Sequence, residues 1–259
     1  MYDKDSQQES AGGWLAENFF SAHNRREGIY RSMSIEDSNN AKVRKSHVLA
    51  IIELAMIVGI FVFDRYLPIS KTLYLFSLGW ISLRLRGLRW RDVGLTRPRN
   101  WLRAIAIGVF AGAVMEALEL FVTQPLLVRL TGRRPNFSDF LALHGNIKLL
   151  LVGLAFSWTL AAFGEEMVWR GYLMNRVAGF LGSARRASWI VSLLVVNTAF
   201  GVAHRYQGAT GIIDEALMGG ILSVIYLVSR RNLTPAIVAH GVADTADSFL
   251  FFIGHYPGM

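Results

Sequence analysis

The 259-residue sequence contains no cysteine. Disulfides, thiolate-bound metals and cysteine nucleophiles are therefore all excluded, and any metal would have to be held by histidine and carboxylates. Charge is also scarce: 18% of residues are Asp, Glu, Lys or Arg, against about a quarter in an average soluble domain. Neither an HExxH helix nor a GxSxG elbow occurs, which removes the zinc-peptidase and serine-hydrolase signatures.

Apolar residues take the place of the missing charge. They make up 53% of the chain, and the mean hydropathy is +0.34, too apolar for a soluble domain of this length. They fall in blocks at 48–63, 73–83, 101–127, 147–163, 188–200, 212–228 and 233–253, most of them near the length a helix needs to cross a hydrocarbon core. The fold class this predicts is all-α, a polytopic membrane bundle of about seven transmembrane helices, or eight if the long third block splits. Residues 1–46 read as a polar cytosolic tail and 47–259 as one transmembrane domain. No repeat or second folded domain is evident.

The net charge of +8 raises the question of nucleic acid, but the basic residues sit between the apolar blocks. Arg84, Arg86, Arg89, Arg91, Arg97, Arg99 and Arg103 crowd one connection, marking a cytoplasmic side. With the amino terminus inside, most of the 27 Lys and Arg lie on that side. The expectation is a multi-pass protein of a bacterial inner membrane with a cytoplasmic N-terminus, a lipid bilayer as partner and no nucleic acid.

Polar residues at membrane depth carry the chemistry. Gly164-Glu165-Glu166-Met167-Val168-Trp169-Arg170 follows the fourth block. On a helix Glu166 and Arg170 share a face, and Arg170 supplies a cation that keeps its proton. Taken alone, the motif reads equally well as an ion pair at a helix end. Phe200 precedes His204 by one turn, and His240 precedes Asp244 by the same spacing inside the last block. That last pair also fits a hydrogen bond locking two helices, with Gly241, Ala243 and Ala246 permitting close approach. Carboxylates and histidines at matching depth in three helices are costly as separate accidents. One polar pocket able to activate water and stabilise an oxyanion accounts for them together. Glu53, Glu116, Glu119 and Asp247 read as helix-packing or cavity residues.

These spacings, Glu165-Glu166 with Arg170, Phe200 with His204, and His240 with Asp244, resemble the EExxxR, FxxxH and HxxxN/D motifs of the CAAX-protease and bacteriocin-processing family, called CPBP or Abi, over about residues 100–253. The resemblance implies an intramembrane endopeptidase acting on a membrane-embedded or lipid-anchored protein or peptide, prenylated or not. Glu165 and His204 would activate water, and His240 with Asp244 would stabilise the oxyanion. Glu166 and Arg170 would shape and charge-balance the pocket. Where prenyl-protein proteases of the family usually carry Asn, this chain has Asp244, a poor oxyanion donor when ionised. A zinc enzyme with Glu166, His204 and His240 as ligands and water as the fourth stands beside the metal-free glutamate mechanism. The non-enzymatic alternative is an immunity or scaffolding protein that uses the same pocket for binding. A proton-coupled carrier finds less support, since no two-half symmetry is visible.

Overall fold

A computed structural model describes residues 48–257; the N-terminal tail expected over 1–46 lies outside the described residues. Close contacts divide the chain into units Met1–Met56 and Ile57–Met259, and the packing described below is that of the second. Among the described residues there is helix and loop and no strand.

The helices are α1 (Val48–Val62), α2 (Lys71–Leu85), α3 (Trp101–Thr131), α4 (Ile147–Phe180), α5 (Arg186–Ala203), α6 (Gly208–Val228) and α7 (Thr234–Ile253). Local chemistry sets their ends. The side chains of Ser70, Asn100 and Asn146 accept hydrogen bonds from the backbone N–H groups of Thr72, Arg103 and Leu149, capping α2, α3 and α4. Pro235 stands in the first turn of α7, where its missing N–H costs nothing. Gly132 and Gly254 end α3 and α7 in the left-handed conformation.

Five of these, α3 to α7, are long and apolar enough to cross a membrane. Their lipid-facing surfaces carry exposed Leu102, Phe110, Phe121, Leu130 and Leu194, whereas Glu116, Glu166, Arg170, Asn197 and Asp214 are buried. Polar groups inside and apolar groups outside is the arrangement a bilayer selects. Seven spans are expected from the apolar blocks, and five of those helices meet the length and composition of a crossing among the described residues. The 15-residue α2 rises only about 22 Å, and α1 falls in the same short class. The third block does not split: α3 runs 31 residues unbroken, and the fourth continues past residue 163 to Phe180. Both long helices continue through π-helical stretches, Glu119–Thr123 in α3 and Ser157–Glu165 and Met167–Leu173 in α4. Such widened turns add a residue per turn and often mark functional sites.

Of all the pairs, α3 and α7 make the most extensive contact. A Cβ on Gly112 would lie 2.5 Å from the carbonyl oxygen of Ala239, and one on Gly108 equally close to Val238. A small residue every fourth position lets two backbones approach in lipid. Gly112→Ala is therefore expected to lower stability by about 1–3 kcal/mol. Gly220→Ala in α6, where a Cβ meets nothing within 4 Å, raises it by up to about 1 kcal/mol. Thermal unfolding of the two variants in detergent checks the opposite signs.

Candidate active site

The centre of the site is an ion pair with no solvent contact. Arg170 donates from Nη1 to Glu166 Oε1 at 2.7 Å across one turn of α4, and both side chains are 0% exposed. The other two guanidinium nitrogens are also engaged. Nη2 reaches the Gly219 carbonyl at 2.6 Å and Asn197 Oδ1 at 3.3 Å, and Nε reaches Ser223 Oγ at 3.3 Å. The guanidinium carbon lies 4.9 Å from the centroid of the Phe200 ring. A buried charge is tolerable when its hydrogen bonds are satisfied in this way. The helix-end surface pair is ruled out by the burial and by the continuation of α4 through the motif.

Glu166 also ties α4 to α7. Its Oε1 accepts from His240 Nδ1 at 2.9 Å, which turns the other ring nitrogen, Nε2, toward Asp244 Oδ1 at 3.5 Å. On α5, His204 follows the last helical residue, and its Nδ1 lies 2.9 Å from the Phe200 carbonyl oxygen. A carbonyl only accepts, so Nδ1 donates there and Nε2 is the ring nitrogen left for another partner. Glu165, the neighbour of Glu166, is half-buried and points elsewhere: its Oε1 accepts a 3.4 Å hydrogen bond from Thr72 Oγ1.

Glu165, His204, His240 and Asp244 line one hollow of about 210 Å³. Glu166 and Arg170 lie behind its wall and do not line it. A neighbouring hollow of about 350 Å³ shares Glu165, Phe140, Ser157, Ala161 and Ser248 with the first, so Glu165 stands where the two meet. The two adjacent glutamates thus divide the work, one facing the cavity and one holding the frame.

Sequence reasoning missed several contributors. Lys71, the first residue of α2, donates from Nζ to the Ala203 carbonyl just before His204. Burial pushes the Lys71 ammonium below the usual lysine range, against the attraction of Glu165 and Asp64. Thr72, Asn197, Ser223 and Glu215 were equally silent. They are single polar residues without a charged partner at helical spacing, and nothing local distinguishes them. Glu119 and Asp247, expected as packing or cavity residues, line the hollow.

Zinc would need Glu166, His204 and His240 as ligands. Glu166 Oε1 is engaged by Arg170 and His240, and among the described residues no three His, Asp or Glu side chains are grouped so as to hold a metal ion.

The chain is an all-α membrane protein that gathers carboxylates and histidines around one internal hollow. Residues 147–246 match the family described as type II CAAX prenyl endopeptidase Rce1-like. The match runs from the start of α4 into α7 and includes Glu165, Glu166, Arg170, His204, His240 and Asp244. Over this segment the chain is similar to that family of CAAX-type proteases. No curated protein and no solved structure matches the chain.

Proposed function

We propose that the chain is an intramembrane endopeptidase that hydrolyses a peptide bond of a membrane-associated protein with water activated by Glu165 and His204. The observation that carries this reading is the convergence of Glu165, His204, His240 and Asp244 on one hollow. A carboxylate and an imidazole whose Nε2 is free are the groups that take a proton from water as its oxygen attacks the carbonyl carbon. The carbonyl oxygen gains the negative charge, and a proton on His240 Nε2 stabilises it. As the tetrahedral carbon collapses, the C–N bond breaks and the proton taken from water passes to the leaving amine.

In this mechanism Asp244 orients His240 from the Nε2 side, as Glu166 does from Nδ1, which gives the Asp a use where an Asn is the usual residue. Activation of water by Glu165 and His204 requires no metal, and the engagement of Glu166 by Arg170 and His240 favours that form. The amino terminus is assigned to the cytoplasmic side on the arginine-rich connection before α3.

Membrane-peptide proteomics of cells carrying the wild type against cells carrying Glu165→Ala tests the reading: peptides that appear only with the wild type identify the substrate. Identical profiles would remove the enzyme and leave a binding protein. Metal analysis of the purified active protein separates the mechanisms, because a full equivalent of zinc whose chelation stops cleavage overturns the metal-free form.

A further inference from the structure

The two proposed bases stand on different helices. Glu165 lies within α4, whereas His204 follows the last residue of α5. Where a helix ends, its final carbonyls have no partner along the chain. The Ala203 carbonyl is one of these, and Lys71 Nζ donates to it across 132 positions of sequence. A cation at this point also complements the negative end of the α5 dipole. The next residue of α2, Thr72, donates from Oγ1 to Glu165 Oε1 at 3.4 Å. Lys71 and Thr72, the first two residues of α2, thus reach the surroundings of both bases at once. On the other side of His204, Arg205 Nη2 donates to the Phe61 carbonyl at 3.3 Å and pairs with Asp64. The turn that carries His204 is therefore tied on both sides to residues 61–72. Tyr206, on the same turn, has its ring centroid 5.8 Å from Lys71 Nζ.

We infer that Lys71 is a positioning residue for catalysis, which holds the turn carrying His204 in a fixed place relative to Glu165 so that both bases reach one water. Lys71 lines neither hollow, so it acts through the groups it holds and not on the substrate. Four charged groups face its ammonium. Glu165 of α4, Asp64 of the turn after α1 and Glu215 of α6 attract it, and Arg205 repels it. A neutral side chain of similar length keeps the packing of the aliphatic stem and gives up both the hydrogen bond to Ala203 and that attraction. Residues 61–72 lie outside the matched segment 147–246, so a part of the chain that none of the three motifs includes completes the arrangement. The role rests on the endopeptidase reading and adds a residue to its site.

The test uses full-length protein in lipid nanodiscs and the best-cut member of a membrane-tethered peptide library. Lys71→Met is expected to lower kcat on the order of 10²-fold, the cost of misplacing a reacting group by about 1 Å. KM stays at the wild-type value, because no group lining the hollows is removed. Lys71→Arg, which keeps a cation and its donors, recovers most of the loss. A wild-type kcat in Lys71→Met overturns the inference and leaves the protease standing. If the wild type cuts no peptide, or Lys71→Arg recovers nothing, histidine modification decides. Diethyl pyrocarbonate labelling is read by mass spectrometry below the unfolding temperature, with buried His240 and exposed His255 as internal references. A several-fold change in Lys71→Met confined to His204 supports the positioning role without the protease. An unchanged His204, or a change that His240 shares, makes Lys71 an ordinary packing contact and overturns it.

Discussion

Glu165→Ala is expected to lower peptide cleavage by about 10²–10⁴-fold, the range that a positioned general base contributes, while the protein inserts and unfolds as the wild type does. The structure accounts for both halves of this result. Glu165 is half-buried at the meeting of two hollows and, among the described residues, receives one long hydrogen bond, from Thr72, and the Lys71 ammonium that it attracts keeps the Ala203 carbonyl as its acceptor when Glu165 is truncated. His204→Ala should lose activity in the same range, since its Nε2 is the second base at the site. If the two groups act on one water, the double variant loses much less than the product of the single losses. Steady-state cleavage of a membrane-tethered peptide by the two single variants and the double variant measures this. Multiplicative losses would separate the two residues into independent steps, and full activity in either single variant removes it from the reaction.

Arg170→Met should fail in the opposite way, through stability. With no exposure at either partner, removal of the guanidinium leaves the Glu166 carboxylate buried without its cation and takes a donor from the Gly219 carbonyl, while Asn197 and Ser223 keep their hydrogen bonds to each other. Breaking a buried pair from one side costs about 3–5 kcal/mol, a large share of the 5–15 kcal/mol that holds a typical domain together. The variant should accumulate poorly and unfold at lower denaturant concentration. Adding Glu166→Leu to Arg170→Met should recover much of the loss, since an apolar replacement of both partners removes the stranded charge. A double-mutant cycle on unfolding in mixed micelles gives the coupling energy. Wild-type stability in Arg170→Met alone would show that the pair is not what holds α4 to α5 and α6. Activity in the rescued double variant then reads the second task of Glu166: His240 keeps its fold but loses the acceptor that fixes Nδ1.

Much of the molecule was legible in one dimension. Hydropathy is a local property, so the apolar blocks announced a membrane bundle. The i, i+4 spacing of Glu166 with Arg170 and of His240 with Asp244 follows from helical geometry alone, and the two pairs lie within contact distance at those spacings. Span lengths were less legible. The blocks at 48–63 and 73–83 resemble crossings in composition, whereas the helices described there, Val48–Val62 and Lys71–Leu85, have 15 residues or fewer among the described residues, and the fourth block runs on through Glu165, Glu166 and Arg170, because a π-helical turn carries no hydropathy signature.

What the chain alone determined, then, is the solvent it lives in, the helices it forms and the spacing of the acids and histidines along them. Tertiary packing decided how those helices are rotated against one another, which no local pattern encodes. It turned Glu165 into the hollow and Glu166 away from it, seated Arg170 against Asn197, Gly219 and Ser223 from two other helices, and brought Glu119, Glu215 and Asp247 to the same hollow.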